Sequence, residues 1–209
     1  MADCPPFRFS GVKGNAVLLA QKFVGEILHD GCVAVDATMG NGHDTVFMAQ
    51  KVGPAGKVYA FDIQQAALDA TARKLKQSGL AKRAALFLES HASMRNYLKG
   101  PADCFIFNLG YLPGGNHGII TQADTTLAAL NTALDLLKPG GRISMVVYTG
   151  HPGAEEESSA VEETVRRLDP RVYGVLQVMF ANRPHWAPFL ILIEKAVPDN
   201  ENPAQYENS

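Results

Sequence analysis

Tryptophan occurs once and cysteine three times in these 209 residues. Cys4, Cys32 and Cys104 form no CxxC pair, and two of them sit inside apolar runs. That excludes a disulfide framework and a thiolate metal knot, and it reads as a reducing compartment. The six histidines fall in no cluster with cysteines or acids at metal-ligand spacing, so no metal is expected. No apolar run approaches the ~20 residues that span a bilayer. The start, MADCPPFRFS, lacks a basic segment followed by an apolar one, so no secretory leader is expected and a cytoplasmic location is. A net charge of −2, from 19 basic and 21 acidic residues, gives no general attraction to nucleic acid. Any such contact needs a local patch. What remains is 46% hydrophobic and 19% charged residues, the balance of a globular chain with a sizeable core.

The apolar residues fall in short runs at regular intervals: CVAVDA (32–37), KVYAFD (57–62), AALFLE (84–89), ADCFIFN (102–108), RISMVV (142–147), YGVLQVMF (173–180) and PFLILIE (188–194). Such runs suit buried strands. Helical patterns lie between the first five: VFMAQKV, QQAALDATARKLKQSG, a short SMRNYL, and TQADTTLAALNTALDLLKPGG closed by Pro139-Gly140-Gly141. AEEESSAVEETVRRL follows the fifth, and an opening helix over residues 15–28 precedes everything. Alternating strand and helix predicts a parallel, doubly wound α/β sheet. The last two strands are joined by ANRPHWAP, too short for a parallel crossover, so they form an antiparallel hairpin at one side. A seven-stranded, mostly parallel Rossmann-like sheet ending in such a hairpin resembles the class I methyltransferases. One domain over residues 1–196 and a polar, disordered tail over 197–209 are expected.

Ligands of such sheets bind beyond the carboxyl ends of the strands. VAVDATMGNGHDT, residues 33–45, runs a strand into Asp36, then a glycine turn, then a helix start. Gly40 and Gly42 let backbone approach a ligand, and Asn41, His43 and Asp44 line the turn. Thr45 stands where a dinucleotide fingerprint needs its third glycine, which disfavours a pyrophosphate. Asp36 is placed to hold a cationic amino group. Asp62 ends the second strand 22 residues after Gly40, near the spacing at which an acid takes ribose hydroxyls. Ile63 then faces adenine, with Gln64 at its edge or at the ribose. Ser90 and His91 follow the third strand and reach the adenine side. A nucleoside plus an amino acid without a pyrophosphate fits S-adenosylmethionine better than NAD.

The fourth strand ends in FNLGYLPGG, residues 107–115. Asn108-Leu109-Gly110-Tyr111 has the spacing of the N-P-P-Y turn of amino-group methyltransferases. An amide carbonyl can accept an amine N–H and aim the nitrogen lone pair, while an aromatic ring three residues on stacks on a base and supports the developing cation. His117 in the following loop, and His151 after the fifth strand, are candidates for taking the released proton. His185 and Trp186 lie in the hairpin loop with Asn182 and Arg183 before them, and Arg183 with Trp186 is a candidate for stacking on an anticodon base. Arg73, Lys74, Lys76, Lys82 and Arg83 form a basic stretch that meets phosphates or is simply a solvated face.

DATMGNGHDT, FDIQ, ESH, NLGYLPGG, the Tyr148-Thr149-Gly150-His151 turn and the final LIEK together resemble the family labelled rRNA methylases, over roughly residues 12–196. The resemblance implies an S-adenosylmethionine-dependent N-methyltransferase. Members of assigned role convert 5-aminomethyl-2-thiouridine at the tRNA wobble position to the 5-methylaminomethyl form, so the tRNA anticodon loop is the implied partner and a homodimer the implied assembly. It also implies cofactor contacts at Asn41, His43, Asp62, Gln64, Ser90 and His91. NHGIIT after the turn and FANRPHWAPF in the hairpin depart from the family pattern, and both lie on the substrate side. An rRNA, small-molecule or protein amine acceptor, an NAD(P)-dependent oxidoreductase and a non-catalytic RNA-binding module stay open as alternatives.

Overall fold

Side chains alternate across a strand, so each run of buried strand residues here must meet two covering layers. The computed structural model describes residues 15–114, 118–150, 152–184 and 186–198. Its elements are α1 (Asn15–Gly25), β1 (Val33–Asp36), α2 (His43–Lys51), β2 (Lys57–Asp62), α3 (Gln65–Gln77), β3 (Ala84–Leu88), β4 (Ala102–Leu109), α4 (Ala123–Leu136), β5 (Leu137–Val147), α5 (Ala154–Arg166), β6 (Tyr173–Val178) and β7 (Phe189–Lys195). The seven strands form one sheet in the order β3-β2-β1-β4-β5-β7-β6. Pairing is parallel through β5, and β7 runs antiparallel to both of its neighbours. The expected closing hairpin is present.

Val35, Phe61, Phe105, Phe107, Ile143 and Met145 project to one face and pack under α4 and α5. Ala34, Val58, Cys104 and Ile106 project to the other, under Met48 and Val52 of the α2 segment and Leu75 of α3. The helix α1 closes that second face over the hairpin side: Ala16 and Ala20 are buried against Val146, Leu190 and Leu192. Its end is tied down by Arg142 of β5. That guanidinium donates to the Phe23 carbonyl at 2.6 Å, to Glu26 at 2.9 Å and to Glu194 of β7 at 2.6 Å, and it stacks over the Phe23 ring.

Some boundaries differ from expectation. The opening helix ends at Gly25 rather than residue 28, at a poor helix former. The stretch after Leu136 is not a helix end followed by a turn; it already belongs to β5, with Leu137 opposite Ala102 and a register shift before Arg142 meets Cys104. The residue before a proline avoids helical geometry, and Gly140 at φ 73 supplies the irregular residue. The short SMRNYL helix is a 3-10 turn over His91–Asn96. The tail from residue 199 lies outside the described residues.

Candidate functional site

The sheet reverses its winding between β1 and β4, the place where an open α/β sheet leaves a crevice at its carboxyl end. A cavity of about 570 Å³ occupies it, lined by Gly40, Asn41, His43, Asp44, Asp62, Ile63, Gln64, Ser90, His91, Asn108 and Tyr111 among others. Eleven residues expected from four separate strand ends therefore meet in one space. Three of the residues expected to hold the cofactor do not line it. Asp36 and Thr45 are fully buried, and Gly42 is buried beneath the turn.

The reading of Asp36 as a ligand for a cationic group is corrected. Its carboxyl accepts from the Thr45 hydroxyl at 2.5 Å and from the Thr38 N–H at 3.3 Å, so it braces the turn from behind. Burial, and then the charge of Asp44, push it up to about 8. Gly42 is also needed for another reason than ligand approach. Its φ is 78, and a Cβ there would lie 2.6 Å from Thr71 Oγ1 and 2.8 Å from Thr71 Cα on α3. The glycine lets α2 and α3 pack closely. Thr71 in turn donates to the Gly40 carbonyl at 3.1 Å.

Asp62 lines the cavity and accepts the Gly40 N–H at 3.0 Å and the Gln64 N–H at 2.9 Å. Burial raises its pKa, and these two backbone donors oppose the rise. Ile63 stands 57% exposed at the cavity rim, an apolar surface fit for a planar ring. His43 is exposed, and its Nε2 lies 2.7 Å from Lys74 Nζ. An ammonium only donates, so Nε2 is the acceptor in this contact. His91 is held through its other ring nitrogen. Its Nδ1 lies 3.3 Å from the Ala37 carbonyl, which only accepts, so Nε2 holds a bare lone pair. That atom is buried and has no partner among the described residues. Burial lowers the His91 pKa, so it stays a neutral acceptor. A buried acceptor lining a cavity calls for a ligand N–H or O–H. Ser90 lines the cavity and caps the 3-10 turn, its Oγ accepting the Ala92 N–H at 3.2 Å.

At the other end stands Asn108. Its backbone N–H donates to Thr38 Oγ1 at 2.7 Å, fixing the end of β4 against the end of β1. Its side-chain Nδ2 donates to Asp44 Oδ2 at 2.7 Å, and Asp44 Oδ1 accepts Gln21 Nε2 at 2.6 Å. The amide is thereby oriented, with Oδ1 turned away from the carboxylate. Tyr111 is 42% exposed, and it pairs with Ile120 in a short antiparallel bridge. Thr121 N–H returns to the Gly110 carbonyl at 3.0 Å. Ile120 and Thr121 thus lie back beside the turn at Gly110 and Tyr111. Asn41 Nδ2 donates to the Pro113 carbonyl at 3.0 Å, joining the two turns across the cavity.

Several lining residues were given no site role from the sequence: Val17, Thr38, Met39, Glu89, Leu112, Ile120, Gln122, Thr125 and Tyr148. Tyr148 follows β5 at its carboxyl end, so strand-end logic could have found it. Burial, then the charges of Asp44 and Tyr111, raise its pKa. Val17 and Gln21 had no such signal, because α1 precedes the sheet. Arg183 and Trp186 do not line the cavity, and the Arg183 guanidinium lies 4.1 Å from the centre of the Phe180 ring. His117, His151 and His185 lie outside the described residues. Among the described residues no group of acids, histidines and cysteines could hold a metal, and no helix is long and apolar enough to cross a membrane.

Comparison with known proteins places this geometry. A Clostridium thermocellum structure described as a "putative rRNA-methylase" has 38% identity and a TM-score of 0.84, over 86% of this chain and 97% of that one. A Streptococcus mutans protein described as "a putative methyltransferase", solved in complex with SAH, has 39% identity and a TM-score of 0.79 over the same shares, 86% and 97%. The fold is the Rossmann-like class I methyltransferase fold. The chloroplastic tRNA (mnm(5)s(2)U34)-methyltransferase of Arabidopsis thaliana is 42% identical over 180 residues, 81% of this chain and 65% of that protein. This chain therefore spans just under two thirds of that relative's length. Residues 58–194, most of the sheet with the cavity's β2, β3 and β4 walls, match the model of the family described as "Putative rRNA methylase", and the chain belongs to that family.

Proposed function

We propose that this protein is an S-adenosylmethionine-dependent N-methyltransferase that converts 5-aminomethyl-2-thiouridine at the wobble position of tRNA to its 5-methylaminomethyl form. The observation that carries the amine is Asn108, an amide oriented by Asp44 at the end of β4, with Tyr111 three residues on and both lining the cavity of about 570 Å³. The acceptor nucleoside is supported by the plant relative's described activity. The tRNA anticodon loop is the partner in this reading and the cytoplasm its place.

When bound, S-adenosylmethionine supplies a methyl group on a positively charged sulfur. Asp62 and Gln64 would take the ribose, Ile63 the adenine face, and His91 Nε2 a donor N–H of the ligand. Asn108 Oδ1 accepts one N–H of the neutral acceptor amine and points its lone pair, so alignment supplies most of the acceleration. The rings of Tyr111 and Tyr148 line the acceptor side and offer faces to a base and to the positive charge that builds on nitrogen. The new ammonium then loses a proton to water or a nearby base. Only the uncharged amine reacts, so the rate rises with pH toward the amine's pKa.

The test is mass spectrometry of nucleosides from aminomethyl-thiouridine tRNA incubated with enzyme and cofactor. Gain of one methyl group on that nucleoside is expected. Methylation of a free amine or a protein at a rate indifferent to added tRNA would replace the tRNA reading with the small-molecule or protein alternative.

A further inference from the structure

We propose that Gln21 and Asp44 are positioning residues that decide which atom of the Asn108 amide faces the acceptor. The inference rests on the amine reading above.

An asparagine amide is nearly symmetric in shape but opposite in polarity at its two ends. Turned one way, Asn108 accepts an N–H from the incoming amine. Turned the other way, it presents an N–H donor that ties up the lone pair the amine needs for attack. Something must break the tie, and the structure shows what does. Asp44 lies in the first turn of α2, and its two carboxylate oxygens both act as acceptors here. One oxygen holds Asn108 Nδ2 at 2.7 Å and the other holds Gln21 Nε2 at 2.6 Å. A flipped Asn108 would set two acceptors 2.7 Å apart, so the flip is penalised. Gln21 fixes the carboxylate's own rotation. It projects from α1, which is held by its buried Ala16, Ala20 and Val24 and by Arg142. The polarity of the reacting group is thus set from a helix that precedes the sheet.

The polarity can be reversed without removing a side chain. With Asp44→Asn, position 44 offers one donor and one acceptor, and position 21 chooses between them. Gln21→Glu only accepts, so it draws the amide N–H₂ of position 44 and leaves that residue's oxygen for Asn108 Nδ2, the productive state. Gln21→Lys only donates, so it draws the oxygen and turns an N–H₂ on Asn108, which must flip. The experiment compares kcat of the Gln21→Glu/Asp44→Asn and Gln21→Lys/Asp44→Asn enzymes on the same tRNA at saturating cofactor. It also records the Asn108 side-chain amide resonances, assigned by their loss in Asn108→Ala, and SAH affinity by calorimetry. Expected is turnover about tenfold or more higher for the glutamate version, distinct Asn108 amide shifts in the two, and SAH affinity alike in both. Equal turnover with the same Asn108 shifts would overturn the proposal. If the unaltered enzyme methylates no tRNA, the function reading fails instead, and the Asn108 shifts alone decide this one.

Discussion

Asn108 uses its backbone for architecture and its side chain for chemistry. The N–H to Thr38 holds the strand end wherever the side chain points. Asn108→Ala should therefore leave the fold and SAH affinity nearly unchanged, while kcat falls on the order of 100-fold, the usual cost of losing alignment. Asp62→Ala should do the reverse, weakening SAH binding far more than turnover at saturation. Calorimetry beside steady-state kinetics checks both; equal losses in both quantities from each change would contradict the division. These two residues are legible in the sequence because each ends an apolar run, and strand ends are where ligands sit. Asp36 ends a run as well, and there the same logic misleads. Nothing in a sequence tells a strand-terminal acid in the cavity from one a single pleat deeper, and the pleat decides. Gln21 is not legible at all. It is a polar residue in a helix remote in sequence, and only folding brings it to Asp44, 23 positions on.

The glycine turn does its work at the level of paired helices. Gly42 is where α2 leans on α3, and a methyl group there meets backbone and side chain of Thr71 with no room to move. Gly40 is different: a Cβ would sit 3.4 Å from the tip of Leu112, which can shift. Gly42→Ala should lower stability by about 1–3 kcal/mol, and Gly40→Ala by clearly less. Thermal unfolding of the two variants tests the ranking, and the opposite order would show that the close approach lies at Gly40. The elements themselves are legible from period and punctuation. The link between β6 and β7 is too short to cross the sheet, and its length alone dictates antiparallel pairing. The start of β5 is not legible, because Pro139 and two glycines read as a stop while in the sheet they form an irregularity between the paired residues Leu137 and Arg142.

For the whole molecule, Asp36 ties stability to pH. Folded, it stays protonated up to about 8 because burial and the Asp44 charge disfavour its ion. Unfolded, it ionises near 4. Between those values the native state holds one more proton than the unfolded chain, so this contribution is complete below about pH 4 and is lost as pH rises toward 8, by up to about 1.4 kcal/mol per unit. Asp36→Asn, uncharged in both states, should show a urea midpoint that changes less across this window. A variant with an undiminished slope would place the linkage elsewhere.

The strand order carries a last consequence, for how the molecule is made. β7 lies between β5 and β6, both of which leave the ribosome before it. Until it arrives, β5 has an open edge and α1 lacks Leu190 and Leu192 beneath it. The helix at the start of the fold must wait for the strand at its end. Because α1 carries Gln21, a nascent chain stalled before Phe189 would have every residue of the cofactor cavity and still lack a settled Asn108. Catalytic competence should then appear late in synthesis, in one step, when the final strand slides into its slot.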